Sequence, residues 1–279
     1  MNLDDPQALA ADLGAPGDWL VVLDYDGVLS PIVDRPEDAL PAPGAVDAVA
    51  ALAARTAVAI VSGRTIADLR TRLGPLEVTF AGGHGAEVRS PDGRTTSFVA
   101  PERVAATLDE VEAALAGLLP AADGWQVERK PASLAVHHRR VDEPARDALL
   151  PRVRDLLDDH RADAPGFEVL AGKAVHELRP AGVDKGRAVT WIADRSPTRR
   201  PLVLGDDVTD EDAFRAAAGR DGLGVLIATS PRATVARRRL RDPEAVVTFL
   251  RAFVSGRPAV TPDGAGIDED DGGTTDAAG

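Results

Sequence analysis

Short unbroken apolar runs alternate with stretches of helical spacing near both ends of the chain. Trp19–Leu23 is apolar throughout and leads straight into acidic residues, as a strand buried on both faces of a parallel sheet should. A loop rich in Pro, Asp and Glu spans Pro31 to Pro43. Ala45–Ala54 then has helical spacing, Ala57–Val61 reads as a second buried strand, Thr65–Leu73 as a helix and Val78–Ala81 as a third strand. This alternation predicts a parallel sheet wound with helices, a Rossmann-like α/β core.

The pattern then changes. Glu87–Arg89 and Thr95–Val99 flank Ser-Pro-Asp-Gly, a hairpin signal. Beyond them the spacing predicts a helix over Arg103–Leu119, strands over Trp125–Lys130 and Ser133–Arg139, a helix over Glu143–His160, and strands over Phe167–Leu170 and Ala174–Leu178. The order αββαββ with short links reads as a small antiparallel sheet covered by two helices. From Lys185 the parallel pattern resumes: helix to Ala193, strand Leu202–Leu204, helix Glu211–Ala218, strand Leu223–Ile227 and helix Glu244–Val254. The expected organisation is a core over residues 1–99, with a hinge hairpin at 86–99, an inserted α+β cap over 100–179, the rest of the core over 180–258, and a disordered acidic tail over 259–279.

Composition narrows the class. Of the 279 residues, 44% are hydrophobic, enough for two modest cores. The tail carries six acidic and no basic residues of a net −13, so the remaining charge is an ordinary solubility margin and argues against nucleic-acid binding. No apolar run approaches a membrane span, the first eighteen residues are acidic without Lys or Arg, and cysteine is absent. A monomeric cytoplasmic protein is expected. Only three of the 32 basic residues are lysine, at Lys130, Lys173 and Lys185. A compact ammonium does what a planar guanidinium cannot, which makes these three candidates for phosphate or sugar contacts.

The chemistry lies where strands end. Asp24 and Asp26 leave the first strand two residues apart, so their side chains emerge on one side and their repulsion asks for a cation. Asp206, Asp207 and Asp210 follow the strand Leu202–Leu204, and an all-oxygen site of a few carboxylates suits Mg²⁺. Ser62 sits at a turn feeding a helix, placed either to donate to phosphate or to cap that helix. Lys185 opens a helix, against the macrodipole, which favours service to a ligand. Arg64 could face phosphate, sugar or solvent. Open parallel sheets bind beyond the carboxyl ends of their strands, so Asp24, Ser62 and Asp206 should share one crevice.

In the order Asp24-Tyr25-Asp26-Gly27, Ser62-Gly63-Arg64, Lys185-Gly186, Gly205-Asp206-Asp207-x-x-Asp210, the chain resembles the haloacid dehalogenase superfamily of phosphatases. Further text is similar to trehalose-6-phosphate phosphatases from about Trp19 to Val254: Gly83-His84-Gly85-Ala86-Glu87, Glu128-Arg129-Lys130, Ala135-Val136-His137-His138-Arg139 and Gly172-Lys173-x-x-x-Glu177-Leu178-Arg179-Pro180. Val28 and Gly83 depart from it, standing where Thr and where Asn or Ser are usual. The resemblance implies an aspartyl-phosphate mechanism with Asp24 as nucleophile and Asp26 as acid and base. Ser62 and Lys185 would bind phosphoryl oxygens. Mg²⁺ would be held by Asp24, the Asp26 carbonyl and Asp206, with Asp207 and Asp210 in support. It also implies a separate trehalose-phosphate synthase in the same pathway.

The cap is expected to read the sugar through Lys130, His137, Arg139, Lys173, Glu177 and Arg179, although a solvated strand face with salt bridges would look the same. Sugar contact and hinge ordering are both open for His84 and Glu87. A zinc site from His137 and His138 is disfavoured, because adjacent strand residues point to opposite faces. Related phosphatases of sucrose phosphate or of glycosyl phosphoglycerate would share the core motifs. A receiver-like module would lack the second carboxylate at Asp26 and the insertion, and a non-catalytic phosphosugar sensor would have lost a core position.

Overall fold

The structure, a computed structural model, describes residues 1–256 except 100, 121–122, 131, 164–165, 173 and 199. Lys173 and the acidic tail therefore lie outside the described residues. The first segment runs α1 (Pro6–Leu13), β1 (Leu20–Leu23), α2 (Ala45–Ala53), β2 (Val58–Val61), α3 (Ile66–Leu73), β3 (Thr79–Gly82), β4 (Glu87–Arg89) and β5 (Thr95–Ser97). The second runs α4 (Pro101–Leu118), β6 (Gln126–Arg129), β7 (Leu134–His137), α5 (Glu143–Asp163), β8 (Phe167–Gly172) and β9 (Val175–Pro180). The third runs α6 (Lys185–Ala193), β10 (Pro201–Gly205), α7 (Glu211–Ala218), β11 (Leu223–Ile227), β12 (Arg238–Leu240) and α8 (Pro243–Ser255).

The first and third segments share one sheet of order β12-β11-β10-β1-β2-β3-β4-β5, parallel from β12 through β3 and closed by the antiparallel hairpin β4–β5. Alternation along β1 sends Val21 and Leu23 to a core with α1, α2, α3 and α8, and Leu20 and Val22 to a core with α6 and α7. Both faces are thus buried, which is why these strands are apolar without interruption. Crossovers run outward from β1 in one direction and from β10 in the other. The β1–β10 boundary is therefore the switch point where the loops after the two strands part to leave a crevice.

Two elements lie outside the sequence reading. Helix α1 has only eight residues and no sustained period; it forms by docking on α8, and Asp4 ties the segment down through Arg238 (2.8 Å) and the Arg239 amide (2.8 Å). Strand β12 carries two arginines in three residues and pairs only because β11 offers it an edge.

The middle segment forms a separate antiparallel sheet of order β6-β7-β9-β8 with α4 and α5 on one face. Leu134, Val136 and Leu178 point to those helices, whereas Ala135, His137 and Glu177 point to the crevice. His138, just past β7, takes the opposite side from His137. Its ring lies 5.4 Å from His176 and 6.1 Å from Trp125. Arg154 Nε donates to His176 Nε2 at 3.1 Å. Burial, then the charges of His176, Arg146 and Arg154, push His138 down to about 4, and burial with Arg154 lowers His176. Both imidazoles pack neutral while the unfolded chain protonates near 6.5. The stability they confer is full above that pH and is lost as pH falls below it, for His138 toward about 4. Urea midpoints of the wild type should fall across this window, and His138→Phe should flatten the fall. Parallel pH slopes for the two proteins would refute the assignment.

Candidate active site

Asp24 stands one residue beyond β1 and is buried. Lys185, the first residue of α6, donates from Nζ to Asp24 Oδ2 at 2.7 Å and to Asp210 Oδ1 at 2.8 Å. Oxygens of Asp24, Asp206 and Asp210 lie within 4.8 Å of one another, all three residues buried. Burial, with Asp210 and Asp206 adding to it, raises Asp24 well above the ordinary aspartate value, although Lys185 pulls the other way. Lys185 is itself held above the ordinary lysine value: burial works against its charge, and Asp210 and Asp24 more than offset that. Three carboxylates against one ammonium leave the cluster short of positive charge.

The donor set suits a hard divalent cation, being all oxygen and partly neutralised. Gly27, at φ 75°, makes the close approach possible: a Cβ there would stand 2.3 Å from Asp206 Cγ. Asp210 is placed as a support. Its Oδ1 meets Lys185, and its Oδ2 accepts the amides of Asp206 and Asp207, each at 2.9 Å. Asp207 lies outside the trio and faces the four-stranded sheet, where a Cβ on Gly172 would come 3.9 Å from its Oδ2.

Asp26 lies across the crevice in a two-point ion pair with Arg64, Nε to Oδ2 and Nη2 to Oδ1, both 2.8 Å. Arg64 also donates to Asp68 (2.7 Å) and to the Pro36 carbonyl (2.9 Å), and packs 5.2 Å from the Tyr25 ring centroid. The arginine whose direction was open in the sequence thus faces the second carboxylate. Ser62 is buried after β2, its Oγ accepting the Arg64 amide at 3.3 Å. Gly63 lets the His84 ring approach the chain closely; a Cβ would meet Nε2 at 2.6 Å. His84 itself adopts a left-handed backbone, φ 56° and ψ 25°, between two glycines.

The polar face of the small sheet roofs these residues, enclosing a cleft of about 310 Å³. Asp24, Asp26, Ser62, Arg64, His84, Lys130, His137, Arg139, Glu177, Lys185, Asp206 and Asp207 all line it. Glu177 is the hub of the roof: it accepts from His84 of the core (3.0 Å), from Lys130 (3.2 Å) and from Ser133 (2.6 Å). Burial opposes its charge, but His84 and Lys130 with the donated hydrogen bonds hold it well below the usual glutamate range. His84 is lowered chiefly by burial, against the pull of Glu177. Arg179, expected in the cleft, does not line it. It sits toward the β4–β5 hairpin, donating to Glu168 at 2.8 Å. Asp34, Asp68, Gln126 and Arg140 do line it without having stood out in the sequence. Glu128 belongs there too, paired with His137 at 2.9 Å.

A family model described as trehalose-phosphatase matches residues 22–244. The chain belongs to the trehalose-phosphatase family. It is 39% identical over 267 residues to a trehalose-phosphate phosphatase of Mycobacterium marinum, covering 90% of this chain and 66% of that protein. It is 40% identical over 241 residues to an uncharacterized glycosyl hydrolase of Mycobacterium tuberculosis, covering 82% of this chain and 18% of the other. The chain thus spans less than two thirds of either relative. Among solved structures, the C-terminal domain of C. albicans trehalose-6-phosphate phosphatase superposes with a TM-score of 0.78 at 25% identity, covering 91% of this chain and 97% of that one. A haloacid dehalogenase-like hydrolase from Bacteroides thetaiotaomicron shares the fold at a TM-score of 0.61 and 14% identity, over 84% of this chain and 98% of its own. The trehalose-phosphatase family accounts for both halves of the molecule, the wound core and the roof over it. Among the described residues, no helix is long and apolar enough to cross a membrane.

Proposed function

We propose that the protein hydrolyses trehalose 6-phosphate to trehalose and inorganic phosphate through a phosphoryl group carried on Asp24. The observation that carries this reading is the convergence of Asp24, Asp26, Ser62, Lys185 and Asp206 at one strand-end crevice beneath a polar sheet face. In the first step an Asp24 carboxylate oxygen attacks phosphorus, the P–O bond to the sugar breaks, and Asp26 gives its proton to the departing oxygen. In the second, Asp26 takes a proton from water, which attacks the acyl phosphate and restores Asp24. Lys185 and the Ser62 hydroxyl, both buried, meet charge on the transferring oxygens, where contacts screened from water count most. Both Asp26 oxygens are engaged by Arg64, so the first step requires Arg64 to release the carboxyl when substrate enters.

Asp24, Asp206 and the Asp26 carbonyl would hold Mg²⁺, with Asp207 and Asp210 supporting. When bound, the ion supplies the positive charge that the acidic cluster and the phosphoryl oxygens lack. Residues 100–179 act as a cap on a core of 1–99 and 180–258, presenting Lys130, His137, Arg139 and Glu177 to the disaccharide. The same reading makes the protein a monomeric cytoplasmic enzyme supplied by a separate trehalose-phosphate synthase. Phosphate release from a panel of sugar phosphates, with and without Mg²⁺, tests it. Trehalose 6-phosphate should be strongly preferred and the activity Mg²⁺-dependent; equal rates on glucose 6-phosphate would defeat the role given to the cap.

A further inference from the structure

The loop that presents Asp206 is held from both sides. Toward the site, Asp210 Oδ2 takes the amides of Asp206 and Asp207. Behind it, Arg232 Nη2 donates to the Asp207 carbonyl at 2.8 Å and reaches the Asp206 carbonyl at 3.5 Å. The Asp206 carbonyl and the Asp207 amide belong to one peptide plane, so that plane is pinned at both edges. Arg232 is fixed in turn by Glu211, Nη1 to Oε1 at 2.6 Å, and the other Glu211 oxygen accepts the Val235 amide at 2.8 Å. Glu211 opens α7 and Arg232 lies in the loop after β11. The brace therefore ties the ends of two neighbouring strands together behind the acidic turn.

We infer that Arg232 is a positioning residue for the divalent-cation site, holding the carbonyls of Asp206 and Asp207 so that the Asp206 carboxylate faces Asp24. The inference rests on reading Asp24 and Asp206 as that site. Geometry and charge make opposite predictions here. A guanidinium near a cation site repels the cation, so if only its charge mattered, deleting it would tighten binding. If it positions Asp206, deleting it frees the peptide plane and binding weakens.

Calorimetric titration of Mg²⁺ into the metal-free full chain separates the two. Arg232→Met should weaken binding roughly tenfold, the scale on which partners behind metal ligands act. The Mg²⁺ concentration for half-maximal phosphate release should rise in step while kcat at saturating Mg²⁺ stays near the wild-type value. Arg232→Lys keeps the charge but cannot bridge Glu211 and two carbonyls at once, so it should weaken binding by a smaller factor. It also carries the test if the Met variant fails to melt cooperatively. Unchanged or tighter Mg²⁺ binding in the folded variants overturns the role of Arg232 and leaves the site reading intact. A wild type that binds no Mg²⁺ overturns both.

Discussion

Asp24→Asn is expected to end phosphate release, with kcat lower by roughly 10⁵ or more, the scale of losing a nucleophile whose partners act as a unit. Asparagine is nearly isosteric and keeps an oxygen for the Tyr25 amide, which meets Asp24 Oδ1 at 2.7 Å; Lys185 loses one acceptor and keeps Asp210. What it loses is the carboxylate that bonds to phosphorus. Stability should move the other way. Asp24 is buried beside Asp206 and Asp210 and raised well above the ordinary aspartate value, so its negative charge is held at a cost in the metal-free protein. The neutral amide relieves that repulsion, and the variant should melt at or above the wild-type temperature without Mg²⁺. Acid quench during turnover should trap a hydroxylamine-labile phosphate on wild-type protein and none on the variant. Activity above about 1% of wild type in a preparation free of deamidated protein would overturn the mechanism.

The parts of this site that could be read from the chain are those that violate a local rule. A lysine opening a helix opposes the macrodipole, and Lys185 proves to sit between two carboxylates. Asp24 and Asp26 read as a repelling pair that asks for a cation, but the carboxylates gathered around Asp24 are those of Asp206 and Asp210, while Asp26 turns to Arg64. The wound core was legible for a similar reason: strands buried on both faces leave uninterrupted apolar runs. What stayed hidden depends on partners distant in sequence. Arg64 gave no sign that it would grip Asp26, thirty-eight residues away. Arg232 was masked by a composition in which arginine is the default cation. Arg179 shares a strand with Glu177, yet Glu168, directly opposite it across β8–β9, pairs with it and takes it out of the cleft. Glu177 read as a sugar acceptor, and its three donors make it equally the tie between core and roof. His84 supplies the link from the core side, and the left-handed backbone that lets it do so has no signature beyond two flanking glycines.

Lys185→Met should damage both stability and chemistry, and the two effects should respond differently to Mg²⁺. The ammonium is buried with 3% exposure and bonded to Asp24 and Asp210. Without it three buried carboxylates are left uncompensated, a loss on the order of 3–5 kcal/mol in the metal-free protein. Lys185 sits above its usual value, so its contribution is full below the unfolded value near 10.5 and is lost only as pH rises through the folded one. The stability gap between variant and wild type should therefore be full at about pH 9 and should narrow as pH falls, because Asp24, already raised and now without the pull of Lys185, takes up a proton and relieves the repulsion. Mg²⁺ should bind the more negative cluster more tightly than in the wild type and recover part of the melting temperature, the reverse of the change expected for Arg232→Met. Catalysis should not recover. With the point charge on the transferring oxygens gone, kcat should remain lower by roughly 10²–10³ at saturating Mg²⁺. Lys185→Arg should not substitute, because a planar guanidinium is too wide for a pocket closed around a single nitrogen. A Met variant that matches wild-type stability without Mg²⁺, or turns over within about fivefold of it, would show that Lys185 is neither the counter-ion of the acidic cluster nor the phosphoryl ligand.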